Sequence, residues 1–453
     1  MTTARASSEL GRPGAWWVIA GAFVIYFTSG GLFNTATVFF KAIAGDLGLG
    51  RGVLSGAFSL GFLVAGLAAP LWGSLADRRG AKAAFLPAVV LVGVLCVALS
   101  RVTSALTLYI GYISLTLASA GISLVPVSVL ISRWFDATRG RAMGVAFMGE
   151  GFGAMAVVPL AGYLVAHVGW RTSYVIAGVG VVAILLPVVV LLRNAPEDTA
   201  AGGAGEDPAA SDAVEPQRPR AGLPSGRAAT DSVGASPNDA DPAAPIGARR
   251  DGGGATRGEA MRTPVFWLVA ATWFMAMTPL AGVSLHQVPF LTDHGFSVES
   301  ASLAAGMVGG TGILGRLVFG LLSERLPIRW IYACCYLFMA LGIAALAWTP
   351  EMGVVALGTY VTLFGIAVGG AFALAPLQVA HLFGVRALGE VFGLLGLAAT
   401  LGGAIGGAGA GLLYDRLGSY DLVLAVAVGM SLVATVMMTR VQRPARRGVA
   451  AAS

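Results

Sequence analysis

Residues 73–80 read GSLADRRG, and residues 320–327 read GLLSERLP. Each segment closes the second long apolar run of its half of the chain. A second pair, GYLVAHVGW at 162–170 and GLLYDRLGS at 411–419, repeats at nearly the same spacing and closes the fifth run of each half. Two matches at one spacing predict that the chain is an internal repeat of one helical bundle.

The composition indicates helices embedded in a membrane. Of the 453 residues, 56% are apolar and 11% are charged, whereas soluble domains carry about 25% charged residues. A helix needs about 20 apolar residues to cross a bilayer, and the sequence contains twelve such runs. They lie at 15–40, 53–73, 83–101, 104–131, 141–166, 172–193, 264–290, 300–322, 329–348, 352–379, 388–413 and 420–440. The prediction is an all-α membrane protein with twelve transmembrane helices in two six-helix bundles.

These runs divide the chain into five parts. They are an N-terminal tail at 1–14, a bundle at 15–193, a linker at 194–262, a second bundle at 263–440 and a C-terminal tail at 441–453. The linker contains no Phe, Trp or Tyr. Such a composition cannot bury enough apolar surface to offset chain entropy, so we expect the linker to be disordered.

The positions of Lys and Arg predict the orientation. With the N-terminus inside, only five of the 29 cations lie in outer segments, and Arg316 lies within a span. The five are Lys41, Arg51, Arg101, Arg171 and Arg416. Because cations concentrate on the cytoplasmic side, we expect both termini and the linker to be cytoplasmic. The expected location is the cell inner (plasma) membrane, with multiple passes.

Several classes of activity are disfavoured. The chain contains no G-x-x-x-x-G-K-[ST] phosphate loop, so ATP is not expected to be its direct energy source. Cys96, Cys334 and Cys335 lie in apolar runs at spacings that form neither a metal site nor a disulfide framework. The net charge of +6 reflects topology rather than nucleic-acid binding. We therefore expect no enzyme activity, no cofactor and no metal, and the lipid bilayer as a partner.

The segment GSLADRRGAK (73–82) resembles the loop between the second and third spans of the major facilitator superfamily, G-x-L-A-D-R-x-G-R-K. The matching residues are Gly73, Asp77, Arg78, Gly80 and Lys82. Ala81 replaces the usual basic residue. We interpret the motif as a gate latch, in which Asp77 caps a neighbouring helix or pairs with a cation to hold the bundles together in one state. The alternative is that its cations only set the orientation.

Four patches narrow the resemblance to the monocarboxylate porter family and its bacterial relatives, which include the oxalate/formate antiporters. They are NTATVFFKAIAGDLGLGRGVLSGAFSL (34–60), ISRWFDATRGRAMGVAFMGEGFG (131–153), LHQVPFLTDHGFS (285–297) and GRLVFGLLSERL (315–326). The resemblance covers both halves and implies a secondary transporter of small organic anions, chiefly monocarboxylates, that works by alternating access.

The cargo assignment depends on Arg316. A guanidinium costs roughly 2.5–3.5 kcal/mol at the centre of a membrane helix, and Arg316 falls where the resembled family keeps an arginine that binds the substrate carboxylate. Its planar fork of donors suits a bidentate carboxylate contact. The alternative is an arginine that extends toward the nearby inner face.

Two ionisable groups of the resembled family are absent. Asn34 falls where characterised members have a lysine that carries the coupled proton, and Gly312 falls where they have its aspartate partner. That proton relay is therefore not implied here. Asn34 remains a candidate to hydrogen-bond the substrate, with helix packing as the alternative.

Glu150 is the candidate for proton coupling. It lies inside the fifth span, in GEGFG (149–153), and an intramembrane carboxylate is a functional candidate by default. The helical rise of 1.5 Å per residue puts Glu150 and Arg316 at similar depths. We expect them to pair when the site is empty, and a substrate carboxylate or a proton on Glu150 to compete for the pair. Alternatively, a backbone or hydroxyl donor holds Glu150.

His286, near the outer end of the seventh span, is a further candidate to bind substrate. A histidine whose hydrogen bonds are satisfied at the interface is the alternative.

Two other functions compete with monocarboxylate transport. A proton-coupled multidrug or metabolite exporter of the same fold would show G-x-x-x-G-P-x-x-G-G in the fifth span, and GAMAVVPLAGY (153–163) matches it only in part. A non-transporting receptor would need a folded output domain, which the composition of 194–262 does not predict.

The eleventh span contains no Lys or Arg, and a single cation suits one carboxylate better than two.

Overall fold

The computed structural model describes residues 14–135, 138–194, 255–384 and 387–442, and nearly all of them are helical. The helices of the N-terminal half are α1 (Ala15–Asn34), α2 (Ala36–Leu47), α3 (Arg51–Arg79), α4 (Ala81–Leu99), α5 (Ala105–Ser119), α6 (Leu124–Trp134) and α7 (Arg139–Leu191), with a 3₁₀ turn at Ala120–Ile122.

The C-terminal half contains another eight helices within the described ranges. They are α8 (Arg257–Met261), α9 (Pro264–Asp293), α10 (Val298–Leu322), α11 (Ile328–Ala347), α12 (Thr349–Met352), α13 (Val354–Phe383), α14 (Leu388–Leu417) and α15 (Asp421–Arg440). Eleven segments of the described chain are long and apolar enough to cross a membrane. The chain is therefore a multi-pass membrane protein.

Glycine in the repeated motifs interrupts the helices. Gly80, with φ 88°, follows the last residue of α3, and Gly418, with φ 72°, follows the last residue of α14. Gly169 has φ 78° and ψ 162° inside the long helix α7, so the 53-residue segment bends there into two helices. Left-handed and extended positive-φ conformations favour glycine because it has no Cβ. The motifs therefore position the ends of the helices.

The end of the predicted linker differs from expectation. Residues 195–254 lie outside the described residues, but Arg257–Met261 form a short helix rather than disordered chain. Thr256 and Glu259 make a reciprocal capping box at its start, with the Thr256 N–H donating to Glu259 at 2.8 Å. The Ala255 N–H also donates to the Phe383 carbonyl at 2.8 Å, which ties this segment to α13.

The two halves meet mainly along two helix pairs, α7 with α10 and α3 with α14. We call the end at which α3 begins the outer end and the end at which it finishes the inner end. Near the outer end the helices touch: a Cβ at Gly306 of α10 would lie 2.8 Å from Pro159 of α7. Near the inner end they part, because a Cβ at Gly144 of α7 or Gly320 of α10 would meet no described atom within 4 Å. The structure is therefore closed outside and open inside.

Close backbone contacts also hold each half together. In the C-terminal half, a methyl group at Gly369 of α13 would collide with the carbonyl of Gly312 of α10. Gly312 itself faces α13, where a Cβ would lie at ordinary contact distance, 3.4 Å from the carbonyl of Gly365.

We expect Gly369→Ala to lower the thermal unfolding midpoint of the purified protein in detergent by several degrees. Overpacking a tight helix contact lowers the free energy of unfolding by about 1–3 kcal/mol, and the thermal unfolding midpoint falls with it. Gly429→Ala on α15 is the matched control, since a Cβ there would meet no described atom within 4 Å. Equal midpoints for the two variants would show that the close contact of α10 and α13 is not needed for stability.

Candidate functional site

Arg316 of α10 joins the two halves inside the membrane-spanning region. Its Nη2 lies 2.7 Å from the Oε2 of Glu150, and its Nη1 donates to the carbonyl oxygen of Phe147 at 2.6 Å. Both partners belong to α7, in the other half of the chain. The expected contact between Glu150 and Arg316 is thus present, together with a carbonyl acceptor that the sequence did not indicate.

Glycines allow the three helices around this pair to approach closely. A Cβ at Gly151 of α7 would lie 2.5 Å from Ile313 of α10, one turn before Arg316. A Cβ at Gly30 of α1 would lie 2.6 Å from the Cγ of Glu150. The absence of side chains at these positions lets Glu150 lie between α1 and α10, within reach of the guanidinium.

The pair faces the space between the halves. On α7, Val145, Phe152 and Tyr163 share one exposed face, and Glu150 lies on the opposite side of the helix at 100° per residue. The side chains of Arg316 and Glu150 are 20% and 39% exposed, and they lie where α7 and α10 begin to part. Water, a proton or a small anion can therefore reach the ion pair from the inner side.

An aromatic surface lies beyond the ion pair, toward the outer end. Phe33 is 55% exposed, and its ring centroid is 6.1 Å from that of Phe62 on α3. Phe33 lies three residues after Gly30, or about 4.5 Å further along the helix. A Cβ at Gly403 of α14 would lie 2.9 Å from the Phe62 ring, so this ring fills the gap between α3 and α14. The site therefore combines one cation, Arg316, with an apolar surface on its outer side that is formed by the rings of Phe33 and Phe62.

Asn34 lies at the end of α1, where the chain bends into α2. Its Nδ2 donates to the carbonyl of Gly30 at 2.8 Å. The same carbonyl belongs to the residue that packs on Glu150. Asn34 is thus placed one turn from the ion pair, and its side-chain amide is held by its own helix.

His286 does not face an open vestibule in this structure. The residue is 3% exposed, its Nδ1 lies 2.9 Å from the hydroxyl of Tyr420, and its Nε2 lies 3.2 Å from the carbonyl of Gly407. A carbonyl only accepts, so Nε2 carries the hydrogen and Nδ1 accepts from Tyr420. Both ring nitrogens are occupied, so neither is available to a substrate in this structure, and the role of His286 in substrate binding stays a prediction.

A charged cluster at the outer end connects the halves. Asp293 of α9 accepts from Lys41 of α2 at 2.8 Å and from Arg51 of α3 at 2.7 Å. Arg51 also donates to the Tyr420 hydroxyl at 2.7 Å, which continues the chain of bonds to His286. Burial raises the pKa of Tyr420, so its hydroxyl keeps the proton that it donates. The sequence had suggested only a topological role for Lys41 and Arg51.

Asp415 of α14 completes the outer cluster. Its two carboxylate oxygens accept from the main-chain N–H groups of Arg51 at 2.8 Å and Gly52 at 2.7 Å, at the first turn of α3. The one sequence signal for this contact was the repeated motif GLLYDRLGS, in which Asp415 is the acid.

The predicted gating motif makes its contacts within the N-terminal half. The Lys82 Nζ donates to the carbonyl of Val190 at 2.7 Å, and Arg133 donates to the main-chain oxygen of Asp77 at 2.6 Å. Gly73 packs on Val125, Arg78 is exposed in the last turn of α3, and the conformation of Gly80 ends that helix. Among the described residues, no hydrogen bond or ion pair joins the motif to the C-terminal half.

This arrangement of two helical halves, with a charged pair between them and one end closed, agrees with the family match, which indicates a membrane transporter rather than an enzyme. The chain belongs to the Major Facilitator Superfamily, whose model matches residues 22–349 and, in an overlapping match, 280–453. The superfamily resemblance inferred from the sequence is thereby confirmed. Proteins of this superfamily move small molecules, often together with protons.

Three comparisons illustrate the relationship. Monocarboxylate transporter 12-B of Danio rerio is 23% identical over 439 residues, which cover 93% of this chain and 86% of that protein. A bacterial homolog of the human lysosomal transporter Spinster, in an inward-facing and unoccupied conformation, has a TM-score of 0.63 at 17% identity, covering 94% of this chain and 95% of the other. A D-xylose-proton symporter has a TM-score of 0.66 at 14% identity, covering 95% and 99%. The structural likenesses establish the fold.

Proposed function

We propose that the chain is a secondary transporter of small organic anions, chiefly monocarboxylates, that works by alternating access. The observation that carries this proposal is the guanidinium of Arg316, which lies between the halves and is held by a carboxylate and a carbonyl. A substrate carboxylate can replace the carboxylate of Glu150 without leaving the cation unpaired. The similarity to a protein named as a monocarboxylate transporter supports the same cargo class.

The proposed topology has twelve spans in two six-helix bundles, at 15–193 and 263–440. Gly169 supports this count, because it bends α7 between two apolar stretches. The distribution of Lys and Arg supports cytoplasmic tails and a cytoplasmic 194–262 segment. We place the protein in the cell inner (plasma) membrane, with its open side toward the cytoplasm.

The proposed binding mode uses both ends of the substrate. Its carboxylate takes the position of the Glu150 carboxylate on Arg316, and its apolar body extends toward the exposed ring of Phe33. Asn34 lies one turn from the ion pair and offers an amide to a polar substituent. Such a substrate has one carboxylate, so the site needs no second cationic side chain.

A proton is the proposed competitor for the same ion pair. Protonation of Glu150 removes its charge and frees Arg316 for the anion, so that a proton and a carboxylate enter the site together. The ring of Tyr26, 4.9 Å from that of Phe147, is the neighbouring titratable group on α1. Because the carboxylate of Glu150 binds either the proton or Arg316, the coupling of proton and anion requires no second acid at this site.

We expect Arg316→Ala to lower the uptake of labelled monocarboxylates into proteoliposomes by at least about tenfold. Charge-assisted hydrogen bonds contribute about 1.5–3 kcal/mol each, and 1.4 kcal/mol corresponds to about a tenfold change in affinity. The assay compares labelled short-chain and aromatic monocarboxylates with a cationic dye, at two pH values. Uptake of the dye and of no monocarboxylate by the wild type would favour the multidrug exporter.

Arg325→Ala is the matched control for that experiment. Arg325 follows α10 by a few residues, is exposed, and makes no side-chain contact with Glu150 in the structure. It should retain wild-type uptake. Equal uptake by Arg316→Ala and Arg325→Ala would remove Arg316 from the proposed binding site.

We expect Glu150→Gln to transport monocarboxylates with little dependence on pH. Glutamine keeps the shape of the side chain and cannot gain or lose the proton, so the competition for Arg316 no longer changes with pH. The measurement is the initial rate of uptake from pH 5.5 to pH 8, with an imposed pH gradient and without one. A variant whose rate still follows the gradient as the wild type does would show that another group carries the proton. Glu299→Gln, a half-buried acid in the first turn of α10, serves as the control.

A further inference from the structure

We propose that the inner end of the C-terminal half binds the phosphate group of an anionic phospholipid, in a cavity between α11, α13 and α15. Arg329, in the first turn of α11, is the principal ligand of that phosphate. The described lining of the cavity shares no residue with the ion pair of Arg316 and Glu150. The proposal therefore does not rest on the cargo or on the binding mode given above.

The cavity lies where three helices of the C-terminal half reach the inner end. Its volume is about 410 Å³, within the range of about 300–1,000 Å³ that is typical of ligand pockets. Its walls are the first turn of α11, the last turns of α13 and the residues that follow α15. The polar residues of the described lining are Arg329, Gln378, His381 and Gln442, and none of the lining residues is Asp or Glu. The chemistry of the walls therefore suits an anion.

Arg329 is a cation for which the described chain supplies no acceptor. Its side chain is partly buried, and its Nε is buried without a hydrogen-bond partner among the described residues. Within those residues no carboxylate forms an ion pair with it. Buried donors in proteins nearly always have a partner, because an unsatisfied donor loses its hydrogen bonds to water without replacement. An anion in the cavity would supply the missing acceptor.

Gln378 presents a buried amide to the same cavity. The residue is 0% exposed, and its Oε1 accepts from the indole N–H of Trp273 at 3.0 Å. Because the indole only donates, this bond fixes the orientation of the amide. The Nε2 has the Sδ of Met438 as its described acceptor, at 3.1 Å. A thioether is a weak acceptor and the amide group carries two N–H donors, so a phosphate oxygen would be a better partner for it.

The start of α11 adds main-chain donors to the wall. Pro327 precedes the helix, and no side chain caps its first N–H groups. These groups have no acceptor within the helix, and the dipole of the 20-residue helix favours a negative charge at this end. Main-chain, guanidinium and amide donors thus border one cavity, and this is a donor set that suits phosphate.

A lipid-facing surface lies beside the cavity. Trp330, Leu337 and Leu341 recur at spacings of seven and four residues, so they share one face of α11, and all three are exposed. Such a face on a membrane-crossing helix contacts lipid, and tryptophan is common where that face reaches the head groups. The Cζ of Arg329 lies 5.6 Å from the centroid of the Trp330 ring. A lipid at this face can therefore bring its phosphate to Arg329.

The charge of the cavity favours an anionic phospholipid over a zwitterionic one. Basic pockets between membrane helices bind the head groups of anionic lipids. The choline cation of phosphatidylcholine would find no acid among the described lining residues, and it would be repelled by Arg329. Phosphatidylglycerol carries the same phosphate diester without a cation, and the hydroxyls of its glycerol suit the amide of Gln442.

The test measures lipid binding and stability with the full chain, purified in detergent. Native mass spectrometry counts the bound lipid while short-chain phosphatidylglycerol is titrated, and the thermal unfolding midpoint reports its effect. Phosphatidylcholine with the same chains and inorganic phosphate are titrated in parallel. We expect phosphatidylglycerol to raise the midpoint and to bind at least about tenfold more tightly than phosphatidylcholine, which corresponds to one charged contact.

Three variants test the ligands of the phosphate. Arg329→Gln removes the cation and should weaken the binding of phosphatidylglycerol by about tenfold or more, because a charge-assisted hydrogen bond is lost. Arg329→Lys keeps the charge without the planar fork, so its affinity should lie between those of the wild type and Arg329→Gln. Gln378→Glu keeps an acceptor for Trp273 and adds a negative charge to the wall, which should also weaken binding. The midpoints without lipid identify a variant that has lost its fold.

Arg325→Gln is the control for net charge. Arg325 lies four residues before Arg329, is exposed, and is not a lining residue of the cavity. It should bind phosphatidylglycerol as the wild type does, whereas a nonspecific attraction to lipid would weaken equally in Arg325→Gln and Arg329→Gln.

Three results overturn the proposal. They are equal weakening in Arg325→Gln and Arg329→Gln, equal affinity for phosphatidylglycerol and phosphatidylcholine, and an equal rise of the midpoint with inorganic phosphate, which would assign the site to a soluble anion. Because no cargo is present, each of these results is separate from a failure to transport monocarboxylates.

Discussion

The arrangement of the molecule depends on a guanidinium that is placed inside a membrane helix and must be kept paired. Arg316 would cost roughly 2.5–3.5 kcal/mol in hydrocarbon, and its partners are the carboxylate of Glu150 and the carbonyl of Phe147. Both partners belong to the other half of the chain. The requirement for pairing therefore ties the two halves together at the depth of the membrane, and it also makes that contact replaceable by any anion that offers the same two oxygens.

The charged contacts that cross between the halves at the outer end follow a consistent division. Lys41 and Arg51 come from the N-terminal half, and Asp293 and Asp415 come from the C-terminal half. Along α3 and α14, close packing extends from these residues toward the middle of the pair and then stops. The structure thus combines a closed outer end with a site that opens inward, which is the arrangement expected for release or capture of cargo on the inner side.

Much of the fold could be predicted because the determinants are local. Gly80 and Gly418 end helices within motifs that are visible as repeats, and the depth of Glu150 follows from counting residues along a span. The position of His286 could not be predicted, because its partners, the hydroxyl of Tyr420 and the carbonyl of Gly407, come from distant segments of the same half. The helix at Arg257–Met261 had a readable capping pattern, but the composition of the surrounding linker favoured disorder.

The position of the ion pair has a consequence for how cargo can drive the cycle. A ligand shifts a conformational equilibrium only through a difference in its interactions with the two states. Arg316 lies in one half and its partners lie in the other, so the free energy of this contact changes whenever the halves move. An anion on Arg316 removes a contact between the halves directly, and no long chain of coupled residues is needed to transmit its effect. The same reasoning applies to a proton on Glu150, since it weakens the same contact from the opposite side.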